Sequence, residues 1–212
     1  MSDTLKRISE ELYEGNAKAV VDLTNGALAE GMTASQVLND GLVAGMDRVG
    51  ADFRDGQLFV PEVLVCARAM HAAMDILRPL LAEGESVTAG KVLIGTVSGD
   101  LHDIGKNLVA MMLEGGGFEV VDLDIDVSPE QFVQAVKKER PDLIGMSALL
   151  TTTMTSMGQT VDALVEAGVR DTVKIMLGGA PVTDQYAQEI GADGYAADAA
   201  GAVELARKLM ET

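Results

Sequence analysis

The sequence predicts an α + α/β chain, an N-terminal four-helix bundle over residues 1–88 followed by a doubly wound parallel-sheet domain over residues 89–212. Three observations carry that expectation. In the first part, apolar residues recur at three- and four-residue spacing, the period of one helix face. In the second they gather into short, nearly continuous runs, the pattern of strands buried on both faces. Between the two lies AEGESVTAG, residues 82–90, with the composition of a linker.

Taken in order, Leu5, Ile8 and Leu12 mark one helix face, and Val20, Leu23, Ala27 and Leu28 a second. Val37, Leu38, Leu42, Val43, Met46 and Val49 mark a third, with Thr33 as its N-cap. Pro61, a favoured first-turn residue, opens a fourth that carries Val63, Leu64, Ala67, Met70, Met74 and Leu77. Breaks at Gly15-Asn16, Glu30-Gly31-Met32 and Asp55-Gly56-Gln57 leave short connections, so four antiparallel helices are expected. After the linker, apolar runs at 91–96, 119–123, 143–147 and 174–177 alternate with helical segments at 104–114, 129–139, 154–167 and 181–190. A weaker strand near Gly194-Tyr195-Ala196 precedes a helix ending at Met210. Such alternation builds a parallel sheet, and the flavodoxin-like strand order 2-1-3-4-5 is expected.

Composition narrows the function classes. Sixteen basic residues against 33 acidic give a net charge of −17, which argues against nucleic-acid binding and against docking on anionic membranes. A single cysteine, Cys66, excludes a disulfide framework and a cysteine-built metal cluster; it fits a reducing, cytoplasmic setting and reads as a small buried apolar residue. The start MSDTLKRISEEL reads as a charged amphipathic helix rather than a signal peptide. No apolar run approaches the roughly 18 residues of a membrane span.

In a sheet of this order, ligands bind beyond the carboxyl ends of the strands where the order reverses, between the first and third strands. Chemistry-bearing residues do follow those strands. After the first come Ser98, Gly99, Asp100, Leu101, His102, Asp103, Ile104, Gly105, Lys106 and Asn107; after the third come Ser147 to Thr153; after the fourth, Gly178-Gly179. Asp100 and His102 are close enough for the carboxylate to orient the imidazole, fixing its tautomer and leaving the other nitrogen for a metal. Gly105 and Gly178-Gly179 let a bulky ligand approach the backbone, and Ser147, Thr151 and Thr153 offer uncharged hydrogen bonds.

These residues make the second half resemble the cobalamin-binding module. DLHDIG ends at Gly105, the 41 residues 106–146 follow, then Ser147-Ala148-Leu149, the 28 residues 150–177, and Gly178-Gly179. That is the module's D-x-H-x-x-G, S-x-L and G-G pattern at its spacing, and the resemblance covers residues 91–212. It implies a cobalamin or related cobamide held base-off, its own nucleotide base displaced into the sheet crevice. It implies His102 as the lower axial ligand of cobalt and Asp100 as the partner of His102. In methionine-synthase-like members a serine six residues after the first serine of S-x-L extends the relay; here that position is Thr153, which keeps the hydroxyl. Gly99, Leu101, Asp103, Ile104 and Gly105 would flank the cofactor, and Ser147, Leu149, Thr151, Gly178, Gly179, Tyr195 and Ala196 would line the slot for its tail. Proton uptake by the Asp100–His102 pair would accompany loss of the axial ligand.

A four-helix region ahead of this module resembles the cap of methionine synthase and of small corrinoid methyl carriers for methanol, methylamine and aryl-ether demethylation. By that resemblance the chain would take a methyl group from a substrate-specific methyltransferase, hold it as methyl-Co(III), and yield it to an acceptor-side methyltransferase serving tetrahydrofolate or a thiol. A reductive activase would repair accidental oxidation, since cysteine is too scarce for an iron–sulfur centre. The alternative from another class is a cobalamin-binding storage or sensing module without turnover. A receiver domain is disfavoured because Ser147 stands where a phosphorylatable aspartate would be. The cap's apolar residues Phe59, Val63, Leu64, Met70 and Met74 read either as packing or as a lid over the upper corrin face. His71 reads as an ordinary helix residue, Gly115-Gly116-Gly117 as a helix C-cap and turn, and the alternating Asp122, Asp124 and Asp126 as a solvated strand end.

Overall fold

The computed structural model describes residues 2–81 and 89–211. The expected linker therefore lies mostly outside the described residues. Two compact units are present, one helical and one built on a sheet.

In the helical unit, α1 (Asp3–Tyr13) is capped by the Ser2 hydroxyl, and α2 (Ala17–Ala29) by the Asn16 side chain. The third helix is not uniform. Thr33 forms a capping box with Gln36 over a short α3 (Ala34–Gln36), which runs through a π-helical stretch, Val37–Val43, into α4 (Ala44–Arg54). Periodicity reads this span as one regular helix because a π insertion shifts the register without breaking the apolar stripe. Gly41 and Gly45 lie along it, and an added Cβ would meet Ile8 Cγ2 at 3.1 Å and the Ser9 carbonyl at 3.1 Å, so these glycines let α1 approach closely. The long α5 (Val60–Leu81) packs chiefly on α2. Its Cys66 is buried, its Sγ 3.1 Å from the Tyr13 carbonyl that accepts its hydrogen, and burial pushes the thiol pKa up.

The second unit holds five parallel strands in the order β2-β1-β3-β4-β5, as the sequence predicts. They are β1 (Lys91–Thr96), β2 (Glu119–Asp122), β3 (Leu143–Ser147), β4 (Lys174–Gly178) and β5 (Gly194–Tyr195). The connecting helices are α6 (Ile104–Gly115), α7 (Pro129–Glu139), α8 (Thr155–Glu166) and α9 (Asp184–Glu189), and α10 (Ala199–Met210) closes the chain. Helix α9 is shorter than the expected 181–190 because the Thr183 hydroxyl caps it, accepting from the Tyr186 amide and leaving Pro181 outside. Helix α6 ends as a glycine turn, with Gly117 at φ 90° and the Phe118 amide donating back to the Leu113 carbonyl. Among the described residues no helix is long and apolar enough to cross a membrane.

Alternating side chains divide the strands between two dry faces. Leu93, Ile144, Met146, Ile175 and Leu177 pack with Phe132 and Val136 of α7 and Met157, Val161 and Leu164 of α8. Val92, Ile94, Leu143 and Met176 are as thoroughly buried on the other face. Gly95 makes room for Phe132, whose Cζ lies 2.9 Å from where a Cβ would stand. Phe132→Ala should therefore lower the unfolding free energy by about 3–5 kcal/mol, read from urea unfolding of the sheet unit's far-ultraviolet signal.

Candidate functional site

The sheet order brings the carboxyl ends of β1 and β3 side by side, with Thr96 opposite Ser147 and Ser147 opposite Gly178 of β4. From Thr96 the chain leaves through Val97 and Ser98 into Gly99, at φ 82°, and so to Asp100 and His102 before α6 begins. From Ser147 it leaves through Leu149 to Thr153 before α8. The two loops meet at one carboxylate.

Asp100 is completely buried and accepts five hydrogen bonds. Its Oδ1 accepts from the His102 amide at 3.1 Å and from His102 Nδ1 at 2.7 Å. Its Oδ2 accepts from the amides of Leu149 at 2.8 Å and Leu150 at 3.3 Å, and from the Thr153 hydroxyl at 2.7 Å. Burial alone would raise the Asp100 pKa, but the donors from Thr153, Leu149 and His102 outweigh it and hold the group well below the usual carboxylate range. An ionised carboxylate only accepts, so the proton between the pair sits on His102 Nδ1. The imidazole is half-exposed, at 51%, and its Nε2 makes no hydrogen bond among the described residues. Thr96 fixes the base of the loop, its hydroxyl donating to the His102 carbonyl at 2.9 Å.

Large apolar side chains stand in the open around this imidazole, contrary to their usual preference. Leu101 is 67% exposed and Ile104 81%, and across the switch point Leu149 and Leu150 are also exposed. An added Cβ at Gly105 would meet nothing within 4 Å. An imidazole held at Nδ1 by a carboxylate, with Nε2 free, exposed aliphatic side chains on the same two loops and an open glycine nearby, could offer a nitrogen to a metal ion within a large apolar ligand.

Ser147 is half-buried at the end of β3, and neither its hydroxyl nor that of Thr151 makes a hydrogen bond among the described residues. Gly179, at φ 123°, passes so close to Ala148 that a Cβ would overlap that residue's carbonyl oxygen. Gly178 faces the Ala196 carbonyl, and Ala196 in turn donates its amide to the Leu177 carbonyl at 3.0 Å. The three predicted elements and the Tyr195-Ala196 turn thus converge at one end of the sheet. Asp103 accepts from the Asn107 side chain at 3.1 Å. On the helical unit, Val63 and Met70 are fully buried, Met74 is half-buried, and Phe59 and Leu64 are exposed. His71 is exposed on α5. Thr96 and the Leu149 and Leu150 amides also belong to the site, and no side-chain pattern in the sequence flags those amides.

The doubly wound sheet with this histidine loop falls within a B12-binding class of protein by its family match. The comparisons agree: the B12 binding domain family matches residues 90–204, and a second B12 binding domain family matches residues 4–78. Trimethylamine corrinoid protein 2 of Methanosarcina acetivorans is 42% identical over 203 residues, covering 95% of this chain and 94% of that protein. Dimethylamine corrinoid protein of Methanosarcina barkeri is 44% identical over 193 residues, covering 91% and 89%. In the methanol:cobalamin methyltransferase complex MtaBC of Methanosarcina barkeri, a chain 30% identical superimposes with a TM-score of 0.88, over 99% of this chain and 80% of that one. The chain belongs to the family of B12-binding corrinoid proteins.

Removing the Thr153 hydroxyl should expose how much the carboxylate depends on it. Thr153→Val is expected to lower sheet-unit stability by about 1.5–3 kcal/mol, the range for a hydrogen bond to a charged group, whereas Thr153→Ser stays near wild type in the same urea titration.

Proposed function

We propose that this chain binds a cobamide base-off through His102 and carries a methyl group between a substrate-specific methyltransferase and a second, acceptor-side methyltransferase. A reductive activase restores the cofactor after accidental oxidation. The observation that carries the reading is the buried Asp100 carboxylate gripping Nδ1 of a half-exposed imidazole among exposed aliphatic side chains. Bound cobamide supplies a cobalt centre able to accept a methyl group and release it again.

The chain's own residues do the rest. His102 offers Nε2 to the metal, and Asp100 keeps the proton on Nδ1 and the ring in its plane. Thr153 and the Leu149 and Leu150 amides keep Asp100 ionised, which raises the basicity of the imidazole. Leu101, Ile104, Leu149 and Leu150 would give a bound macrocycle apolar contact and exclude water around His102 Nε2. Ser147 and Thr151 hold hydroxyls for the tail, with Gly178, Gly179, Tyr195 and Ala196 as its walls. Methylated amines are the donor class to test first, since relatives matching nearly the whole chain carry those names. Donor choice itself belongs to the partner methyltransferase.

Two measurements test this. Protein loaded with hydroxocobalamin should show the imidazole-ligated spectrum, and His102→Ala should still bind, roughly tenfold more weakly, with that spectrum gone. Identical spectra for wild type and variant would remove His102 as the ligand. Separately, reduced, cobamide-loaded protein mixed with a trimethylamine, dimethylamine or methanol methyltransferase and its substrate should gain the absorption of a methylated cofactor. No methylation with any donor would leave a binding module without turnover.

A further inference from the structure

β2 ends at Asp122, and the segment Asp122-Leu-Asp-Ile-Asp126 leads from there to Val127, which rejoins the sheet in a parallel bridge to Val97. Periodicity reads its three aspartates as a solvated strand end. They are exposed, but two of them also work inward. The segment is stitched to β1 and the loop after it by backbone bonds: Leu123 to Ile94 at 2.8 Å, Thr96 to Asp124 at 3.0 Å, Val127 to Thr96 at 2.9 Å and Asp126 to Asp100 at 3.2 Å. Asp124 and Asp126 adopt left-handed conformations, φ 71° and 54°, which aspartate tolerates better than most residues.

The side chains then reach the histidine loop from both ends. Asp126 Oδ1 accepts from the Gly99 amide at 2.7 Å and from the Ser98 hydroxyl at 3.3 Å, just before Asp100. Asp122 Oδ2 accepts from Lys106 Nζ at 2.5 Å, in the first turn of α6. The Lys106 side chain is only 1% exposed, so its ammonium depends on its partners. It also donates to Asn107 Oδ1 at 2.7 Å, and Asn107 donates to Asp103 Oδ2 at 3.1 Å. One five-residue segment thus grips the chain three residues before His102 and four residues after it.

We propose that Asp122 and Asp126, with Lys106 as the buried link, are positioning residues that fix the loop so that the imidazole is presented before any ligand arrives. This rests on the reading of His102 as the cobalt ligand. A solvated strand end would leave residues 98–107 untouched by these carboxylates; here they hold both flanks. Sites depend on supports that hold their geometry, and the direct partner of a metal ligand is itself worth roughly 10–100-fold in metal affinity.

The test uses the full chain loaded with hydroxocobalamin and reduced to Co(II), where nitrogen splitting in the electron paramagnetic resonance spectrum measures the imidazole-ligated fraction. Asp126→Gly removes the carboxylate without straining the left-handed backbone, and Lys106→Met removes the buried charge at similar length. Each is expected to lower the ligated-to-unligated ratio about tenfold while still binding one cobamide per chain. Asp126→Asn, which keeps an acceptor oxygen, should retain the wild-type ratio. If Lys106→Met fails to fold, Asp122→Ala, which removes the acceptor of Lys106 from an exposed position, should lower the ratio in the same way. In the cofactor-free protein, Asp126→Gly should also speed hydrogen exchange of the Gly99 amide. Wild-type ratios in Asp126→Gly and Lys106→Met, or unchanged Gly99 exchange, would overturn the proposal. Absence of nitrogen splitting in wild type would instead overturn the ligation reading itself.

Discussion

One buried carboxylate organises the functional end of the sheet. Asp100 lies on the β1 loop, but three of its five donors come from the β3 loop. The two loops are therefore joined at the point where strand order reverses. Burying a carboxylate is unfavourable unless it is densely hydrogen-bonded, so its cost of burial falls only when both loops take their native positions together. Strand pairing brings Thr96 opposite Ser147, and Asp100 turns that adjacency into a rigid frame for one imidazole.

The same frame accounts for the odd surface of this region. Leu101 and Ile104 flank His102, and Leu149 and Leu150 flank the two amides that hold Asp100. The Leu149 and Leu150 amides are taken by Asp100, Leu101 lies between Asp100 and His102 in the chain, and all four side chains are left exposed. An apolar rim around a polar anchor thus follows from the local geometry: amides consumed by the carboxylate leave the aliphatic groups outside. A macrocycle that is apolar over its faces and metal-centred suits that rim better than a small polar substrate would.

Much of this was legible in the sequence, and the reason differs by level. The strands showed because a doubly wound sheet buries both faces, so β1, β3 and β4 are unbroken apolar runs. The site showed because Asp100, His102, Ser147 and the glycine pair are side-chain signals tied to strand ends. The illegible parts are backbone properties. Nothing in Leu149-Leu150 announces that their amides face Asp100, and nothing in residues 37–43 announces a π-helical stretch. The inward contacts of Asp122 and Asp126 are equally illegible, because alternation on an acidic strand end looks the same whether the carboxylates meet water alone or a neighbouring loop as well. Only the register of β2 beside β1 decides that, and register is a tertiary fact.

The choice of a carboxylate rather than an amide at position 100 follows from the same geometry. An amide there could present oxygen or nitrogen to the imidazole and so would permit either tautomer. In either orientation its NH2 would face a donor, the Leu149 and Leu150 amides and the Thr153 hydroxyl in one and the His102 amide in the other, where an acceptor is required. A carboxylate accepts at both oxygens, so one arrangement satisfies every group. Its ionisation is sustained by those donors, and its charge in turn holds the proton on Nδ1. The free Nε2 of His102 is thus specified from the loop of the neighbouring strand β3, by Thr153 and two backbone amides that need never touch the ligand.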